Sequence, residues 1–427
     1  MPKGWKSVQF IQSEKESKSA TSLNELLQKA LSQPTNAQSL SELASKAKKA
    51  VIIVDDVTRP TPTAEICEIL IPYLEEGGLS LEDLTFVVAL GSHAPMNLDQ
   101  LEQKVGKAII SSSQVIQHEC WGPDLLPAAT LSSGRAVKIN PAVAKADLKI
   151  SLGSILPHSM AGFGGAKMIM PGVADFESIK EHHITHMVHP LSTLGNINGN
   201  PFYEEILKVT RMVGLDFIIR CIFNHEGGVV DVVAGEFESA FTKGVELSLS
   251  NLGYRFDRKV DVSISCTFPF VHGPQMIKAL APPSIVTRER GAIMLVAPLP
   301  EPLPSGFLDA FLEIREKSNN NPLEYAKAAL SRGEPVLPDR AVDFNMAIIS
   351  TVRRTAEQKV FLVSQKVSQE EASLMGFEYV SSVEEGLGQL GEAYPDADVA
   401  IFPSGGLVIP VTDVRSSKDS FQVSGTQ

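Results

Sequence analysis

Short, continuously apolar segments alternate with helical patterns along this 427-residue chain. The segments with the character of buried strands are 50–54, 85–90, 147–152, 216–223, 260–266, 291–296, 346–350 and 398–402. Strands that are apolar along their whole length are buried on both faces, which is typical of a parallel sheet covered by helices. The pattern predicts an α/β fold built from mainly parallel sheets, with helices over 23–31, 40–49 and 63–76.

The length of the chain predicts two domains, because a single hydrophobic core rarely extends over so many residues. Prolines cluster at 282–283 and between 298 and 304, after the first half of the chain. We therefore expect an α/β domain over 1–270 and a second α/β domain over 271–427. A cleft between two such domains is the usual place for an active site that closes over its substrate.

The composition restricts the class of protein. Hydrophobic residues make up 43% of the chain, and no apolar run approaches the roughly 20 residues that cross a bilayer. The first residues lack the apolar region of a secretory signal, which predicts a cytoplasmic protein without a membrane partner. The net charge of −12 disfavours a nucleic-acid partner, so an anionic substrate needs locally placed cations. Widely spaced cysteines argue against a disulfide framework: Cys67, Cys120, Cys221 and Cys266.

Three polar residues, Asp56, His93 and His158, each follow closely after a predicted strand. The carboxyl ends of parallel strands meet at one edge of a sheet, where ligands bind, so we expect these side chains to converge. Two histidines facing each other across a substrate can alternate as base and acid, which is what inversion of a stereocentre requires. The alternative for each histidine alone is a structural role.

The sequence DDVTRPTP (residues 55–62) links a buried strand to a helix. Its Arg59 can hold a carboxylate through two hydrogen bonds, with Asp56 orienting the arginine or the substrate. A capped loop with solvated charges is an equally simple interpretation. Further along, Gln275 and Lys278 share a face if their segment is helical, and they either reach a cleft from the second domain or are merely solvated.

A glycine-rich loop at 162–167 ends in Lys167 and matches neither a Walker A motif nor GxGxxG. Gly164 and Gly165 permit close approach of a cofactor phosphate, and Lys167 can pair with the cofactor or bond to it covalently. A surface lysine on a glycine turn is the alternative.

A histidine-rich segment follows, with His182, His183, His186 and His189. On a helix their spacing offers i,i+3 and i,i+4 pairs on one face, a geometry that suits metal ions. The spacing does not decide which histidine points inward. Because the segment is not HExxH, the general base of zinc metalloproteases is missing. A zinc-dependent hydrolase or lyase using this helix stays open as an alternative.

Taken together, these motifs resemble the nickel-pincer lactate racemase family over most of the chain, with DDVTRPTP the most specific match. The resemblance implies a nickel-pincer nucleotide (pyridinium-3-thioamide-5-thiocarboxylic acid mononucleotide) attached covalently to Lys167. The loop that carries Gly164 and Gly165 would hold it, and His183 would complete the nickel coordination. The first domain would be catalytic, and the second would close over the site. Cofactor-maturation proteins would be partners.

The resemblance also implies roles at the substrate. His93 and His158 would be the two acid/base residues, while the substrate would be bound by Asp56, Arg59, Gln275 and Lys278. The implied activity is a racemase or epimerase, an isomerase that inverts C2 of a 2-hydroxyacid such as lactate, malate or a sugar acid. Inversion would proceed by reversible hydride transfer to the nickel-pincer nucleotide.

The chain departs from the family pattern near these residues. Ser92 and Ala94 flank His93 where Thr and Arg are common, His182 stands where Asn is frequent, and the glycine loop is one residue shorter than the usual AGFSGGxK. These changes indicate that the substrate need not be lactate, since the family acts on many 2-hydroxyacids. A non-catalytic carboxylate- or cofactor-binding protein is the third interpretation.

Overall fold

The computed structural model describes residues 1–12 and 21–412. The strands of this part of the chain are β1 (Ser7–Phe10), β2 (Ala50–Val54), β3 (Leu84–Val88), β4 (Gln114–Gln117), β5 (Leu126–Thr130), β6 (Ala136–Ile139), β7 (Leu148–Ile155), β8 (Pro157–His158), β9 (Gly162–Phe163), β10 (Phe217–Phe223), β11 (Val229–Gly235), β12 (Gly253–Phe256), β13 (Val260–Cys266), β14 (Thr287–Val296), β15 (Lys359–Val363), β16 (Glu378–Val380), β17 (Asp398–Phe402) and β18 (Ile409–Thr412).

The α-helices of the same residues alternate with the strands. They are α1 (Leu23–Ser32), α2 (Leu40–Ala44), α3 (Thr63–Glu76), α4 (Leu98–Val105), α5 (Lys107–Ser112), α6 (Pro141–Lys145), α7 (Phe176–His186), α8 (Pro201–Val213), α9 (Phe237–Leu252), α10 (Ala281–Val286), α11 (Ser305–Lys317), α12 (Pro322–Ser331), α13 (Val342–Glu357), α14 (Gln369–Leu374) and α15 (Val383–Ala393).

The chain divides into two compact units, one formed by Lys15–Asn251 and the other by Met1–Glu14 together with Leu252–Gln427. The first unit contains a sheet in the order β11-β10-β7-β2-β3-β4. Neighbouring strands from β10 to β4 are parallel, and only β11 pairs antiparallel among the described strands of this sheet. The central strands β2 and β7 are buried almost throughout, as a sheet covered on both faces requires.

The register of this sheet brings three strand ends to one edge. Val54 at the end of β2 pairs with Val88 at the end of β3 and with Leu152 of β7. Because all three strands run in the same direction, the segments that follow them leave the sheet at the same edge. Asp56, His93 and His158 lie in those segments, as the strand pattern predicted.

The second unit contains a parallel sheet in the order β1-β17-β13-β14-β15-β16. Apolar side chains of its central strands, including Val262, Met294 and Val399, form a buried core. The predicted α/β class with mainly parallel sheets is therefore confirmed. Among the described residues no helix is both long and apolar enough to span a membrane.

Two sequence-based predictions differ from the structure. The strand predicted over 346–350 is wrong, because these residues lie inside the 16-residue helix α13, where Ile348 and Val352, one turn apart, are buried. The domain division falls between Asn251 and Leu252 rather than near residue 270. The physical reason is strand pairing: β13 joins the second sheet, and the N-terminal strand β1 joins it by pairing with β17.

Candidate active site

The loop after β2 places Asp56 against His93. Asp56 Oδ2 lies 2.7 Å from His93 Nδ1. The other carboxylate oxygen accepts hydrogen bonds from Thr58, from the backbone N–H at 2.8 Å and from the hydroxyl. Arg59 in turn donates to the Thr58 hydroxyl at 2.8 Å. Asp56 is therefore fully engaged by protein groups, and its contacts are those of a residue that orients His93.

His93 presents a free ring nitrogen as a result. A carboxylate only accepts hydrogen bonds, so the pairing with Asp56 puts the proton of the neutral imidazole on Nδ1 and leaves a lone pair on Nε2. The side chain of His93 is 25% exposed, whereas that of Asp56 is 6% exposed. His93 thus has the tautomer and the access that a general base needs.

Asp56 stays ionised at this position. Burial alone would raise its pKa, but the hydrogen bond and the charge of His93, together with the charge of Arg59, hold the pKa of Asp56 well below its usual range. The carboxylate therefore favours a protonated His93 electrostatically after that histidine has accepted a proton.

His158 has the opposite tautomer. Its Nδ1 accepts hydrogen bonds from the backbone N–H groups of Met160 (3.3 Å) and Ala161 (3.1 Å). The proton of the neutral ring therefore sits on Nε2, which lies 2.5 Å from Lys167 Nζ. The Nε2–H group of His158 can only donate, so Lys167 must accept this hydrogen bond. Only a neutral amine has the lone pair to do so.

The electrostatics of Lys167 agree with a neutral amine. Burial, followed by the charge of Arg59, lowers the pKa of Lys167 to about 7, although Asp56 acts in the opposite direction. An amine that is largely unprotonated near neutral pH is a nucleophile, which is a requirement for a lysine that bonds to a cofactor.

The glycine loop is shaped by close backbone contacts. Gly162 and Gly165 have φ angles of +75° and +93°, and a Cβ on Gly165 would lie 2.8 Å from the carbonyl oxygen of Ser154. The Gly164 N–H donates to the Leu156 carbonyl at 2.7 Å. From β10, the fully buried Arg220 donates to the Gly165 carbonyl at 2.8 Å, and so fixes the loop that carries Lys167.

Helix α7 holds His182 and His183 by hydrogen bonds to carbonyl groups. His182 donates from Nε2 to Phe202 at 2.9 Å, and His183 donates from Nδ1 to Ile179 at 2.8 Å. His183 therefore carries its lone pair on Nε2. Burial, then the charge of Lys167, lowers the pKa of His183 to about 3, which keeps this ring neutral. A neutral imidazole with its other N–H on a carbonyl is the usual form of a metal ligand.

The other predicted helix histidines do not join this arrangement. His186 lies 3.8 Å from Glu205, and His189 follows the end of α7, where its Nδ1 accepts from the Leu191 N–H. The residues that the structure describes contain no group of three or more His, Cys, Asp or Glu side chains placed to hold a metal ion. The four histidines thus have different surroundings: backbone carbonyl groups hold His182 and His183, and His189 lies beyond the end of α7.

Gln275 and Lys278 lie in the second unit, on a 3-10 helix over Gly273–Leu280. Residues three apart on such a helix share a face, as predicted. Lys278 Nζ lies 5.5 Å from the centre of the Phe270 ring. Gln275 Oε1 is buried and has no hydrogen-bond partner among the described residues. Their predicted role at the substrate stays a prediction.

The first unit thus brings together most of the predicted site residues, namely Asp56, Arg59, His93, His158, Gly164, Gly165, Lys167 and His183. Sequence reasoning missed the residues beneath them, Arg220 and Lys104. Lys104 is on an amphipathic helix and Arg220 is in a strand, and a charged residue in either is normally solvated. Arg220 stands alone among the apolar residues of its strand, and this could have indicated that its side chain is buried.

Comparison with known proteins gives consistent matches. Residues 4–195 match the family model described as the lactate racemase N-terminal domain. A lactate racemase from Thermoanaerobacterium thermosaccharolyticum is 26% identical over 324 residues, 74% of each chain. A lactate racemase from Lactiplantibacillus plantarum is 29% identical over 279 residues, covering 64% of this chain and 65% of the relative.

Solved structures share the fold. The lactate racemase apoprotein from Thermoanaerobacterium thermosaccharolyticum superposes with a TM-score of 0.84 at 23% identity, over 96% of both chains. A protein from Thermotoga maritima gives a TM-score of 0.65 at 20% identity, over 88% of this chain and 97% of that one.

Proposed function

Because this chain belongs to the lactate racemase family, we propose that it inverts C2 of lactate or a related 2-hydroxyacid by hydride transfer, with His93 and His158 as acid and base. The chain is an isomerase of the racemase type. The observation that carries the proposal is the complementary protonation of the two histidines. His93 offers a bare Nε2 and His158 offers an Nε2–H, so one base and one acid are present at the same time.

The residues around Lys167 fit a tethered nickel-pincer nucleotide. Lys167 supplies a neutral amine, the glycine at 165 lets the loop that carries it pack closely against the Ser154 carbonyl, and His183 offers one imidazole lone pair. A single protein donor suits a metal whose remaining donors belong to an organic group. When bound, this cofactor supplies the acceptor for the C2 hydride. We assign metal binding to His183 rather than His182, since the lone pair of His182 is on Nδ1, which faces Nδ1 of His183 at 3.4 Å.

The chain's own residues provide binding and proton transfer. Arg59 holds the substrate carboxylate in this proposal. His93 Nε2 accepts the proton of the C2 hydroxyl, while Asp56 stabilises the resulting imidazolium. The substrate carbon is then planar, and His158 donates its Nε2 proton when the alcohol re-forms with inverted configuration. Solvent then returns a proton to His158 Nε2 and takes up the proton that His93 holds. The reverse reaction uses the same two groups in exchanged roles.

The experiment uses the chain co-produced with a cofactor-maturation system and supplied with L-lactate, D-lactate, malate and sugar acids in turn. Chiral chromatography is expected to show interconversion, and the intact mass an adduct that is missing in Lys167→Ala. His183→Ala is expected to lose bound nickel, measured by elemental analysis, while the matched variant His186→Ala retains it. Turnover with zinc and without an adduct would instead establish a zinc enzyme. An adduct without turnover of any acid would favour a binding protein.

A further inference from the structure

A buried ion pair lies beneath the loop that carries Arg59. Lys104, on α4, has a side chain that is 5% exposed, and its Nζ lies 2.6 Å from Asp55 Oδ1. Asp55 directly precedes Asp56 and is itself buried. Removing two charges from water is costly, so a pair of this kind in a small loop calls for an explanation.

The contacts of the lysine identify what the pair does. Besides Asp55, Lys104 Nζ donates to the backbone carbonyls of Arg59 at 3.0 Å and of Thr61 at 3.1 Å. The Thr61 hydroxyl donates to the carboxylate of Asp55 and also contacts the hydroxyl of Ser154 on β7. One ammonium group therefore fixes the backbone on both sides of Pro60, and the whole arrangement is attached to the central sheet.

We propose that Lys104 is a positioning residue, which holds Arg59 in place for the substrate carboxylate without touching the substrate. The inference rests on the proposed function for what Arg59 binds. It adds a residue that is remote in sequence and whose three contacts all lie on the 55–61 loop. A displacement of about 1 Å in a binding group costs up to about a hundredfold in rate, so control of this backbone has a measurable effect.

The first test measures the position of Arg59 directly. An arginine-selective dicarbonyl reagent, phenylglyoxal, is applied to the full chain, and the modification rate at each arginine is read by peptide mass mapping. In Lys104→Met the rate at Arg59 is expected to change severalfold, while the rates at exposed arginines such as Arg255 and Arg332 stay the same. Lys107→Met, an exposed lysine three residues away with an 81% exposed side chain, is the matched control. An unchanged rate at Arg59 would overturn the proposal.

Lys104→Met leaves Asp55 as an unpaired buried charge, so the double variant Asp55→Asn/Lys104→Met is measured beside it. Replacing both partners avoids the uncompensated charge and preserves folding. Lys104→Arg keeps the positive charge, but a guanidinium cannot place a single nitrogen between the Arg59 and Thr61 carbonyls. It is therefore expected to restore the modification rate at Arg59 only in part.

The second test uses cofactor-loaded protein and the acid that it interconverts. In the double variant KM is expected to rise about tenfold with kcat changed less, since Arg59 binds the carboxylate in the ground state and the transition state alike. A wild-type KM would contradict the proposal. If phenylglyoxal reports a displaced Arg59 but the wild-type chain interconverts none of the acids, the positioning role stands and the proposed function fails.

Discussion

At the scale of single residues, the two histidines differ in which ring nitrogen carries the proton. The Asp56 carboxylate selects Nδ1–H for His93, and two backbone N–H groups select Nε2–H for His158. While its Nδ1 accepts from the backbone, a neutral His158 ring carries its proton on Nε2. In the proposed function, His93 is therefore the base of the resting site and His158 is the acid.

Asp56→Asn tests the role of the carboxylate. An amide donates as well as accepts, so it permits the wrong tautomer of His93 and no longer stabilises the imidazolium. We expect kcat to fall about a hundredfold to ten-thousandfold, while the adduct mass and the unfolding midpoint stay near those of the wild type. Asp147→Asn, whose carboxylate accepts from the backbone of residues 48 and 49, serves as the matched control. Normal turnover in Asp56→Asn would refute the orienting role.

The pH dependence of the orienting role of Asp56 follows from the direction in which the pKa of Asp56 is shifted. The pKa of Asp56 is lowered well below its usual range, so the carboxylate stays ionised at every pH above about 4. The stabilisation from its pairing with His93 is complete above the pKa that Asp56 has in the unfolded chain. It is lost only as the pH falls towards the lower pKa that Asp56 has in the folded chain. We therefore expect Asp56 to contribute no change in kcat/KM between pH 5 and 7.

Lys167 provides a second prediction that needs no cofactor. Because burial lowers its pKa to about 7, the free amine predominates above that pH and the ammonium form below it. We expect labelling of Lys167 by an amine-selective reagent to rise through pH 7 in the cofactor-free chain, read by peptide mass mapping with exposed Lys107 as internal reference. Labelling that rises only near pH 10 would show that Lys167 is an ordinary charged lysine.

At the scale of elements, the glycine loop is constrained by space as well as by backbone angles. Gly165 and Gly134 both have a φ of +93°, but a Cβ on Gly134 would meet no atom within 4 Å. Alanine at Gly134 therefore introduces backbone strain alone, about 1 kcal/mol. Alanine at Gly165 adds the contact with the Ser154 carbonyl.

Gly165→Ala is accordingly expected to lower the free energy of unfolding by about 3 kcal/mol and to reduce the cofactor adduct on Lys167. Gly134→Ala is expected to lose about 1 kcal/mol and keep the adduct. Urea unfolding and intact mass measure the two effects. Equal losses in the two variants, with equal adduct, would mean that the Gly165 contact has no consequence for the loop.

Some elements could be predicted from the sequence and others could not. The run 50–54 is apolar throughout and bounded by polar residues, which is why it was recognised as β2. The run 260–266 alternates apolar and polar residues, which is also typical of a strand, and it forms β13. The run 346–350 has four consecutive apolar residues but belongs to α13, since so short an apolar run does not distinguish a strand from part of a buried helix. Periodicity over the whole of 342–357 carried the missing information.

The site was predictable where its residues follow strands, and not where it depends on buried partners. Asp56, His93 and His158 followed from strand order alone. Lys104 was missed because a lysine in the last turn of α4 is normally solvated, and only the fold brings it to the Arg59 carbonyl. Spacing along α7 likewise did not separate His183 from its neighbours, whereas their carbonyl partners do.

At the scale of the whole molecule, the division into units reflects pairing between distant segments. Strand β1 pairs with β17, nearly the whole chain away, so the unit that begins at Leu252 also contains the N-terminus. Local sequence patterns carry no signal for such a pairing. The net charge of −12 gives the molecule a field unfavourable to anions, so the proposed acid substrate depends on local cations such as Arg59.

The measurement that tests the account most directly follows the hydrogen on C2. Chain loaded with cofactor is given C2-deuterated lactate, and configuration and isotope content are followed by chiral chromatography with mass detection. The account predicts inversion with the deuterium retained, because the hydrogen leaves and returns as hydride while His93 and His158 handle only the hydroxyl proton. Inversion with the deuterium exchanged into water would mean proton abstraction from carbon, and would contradict the assignment of both histidines.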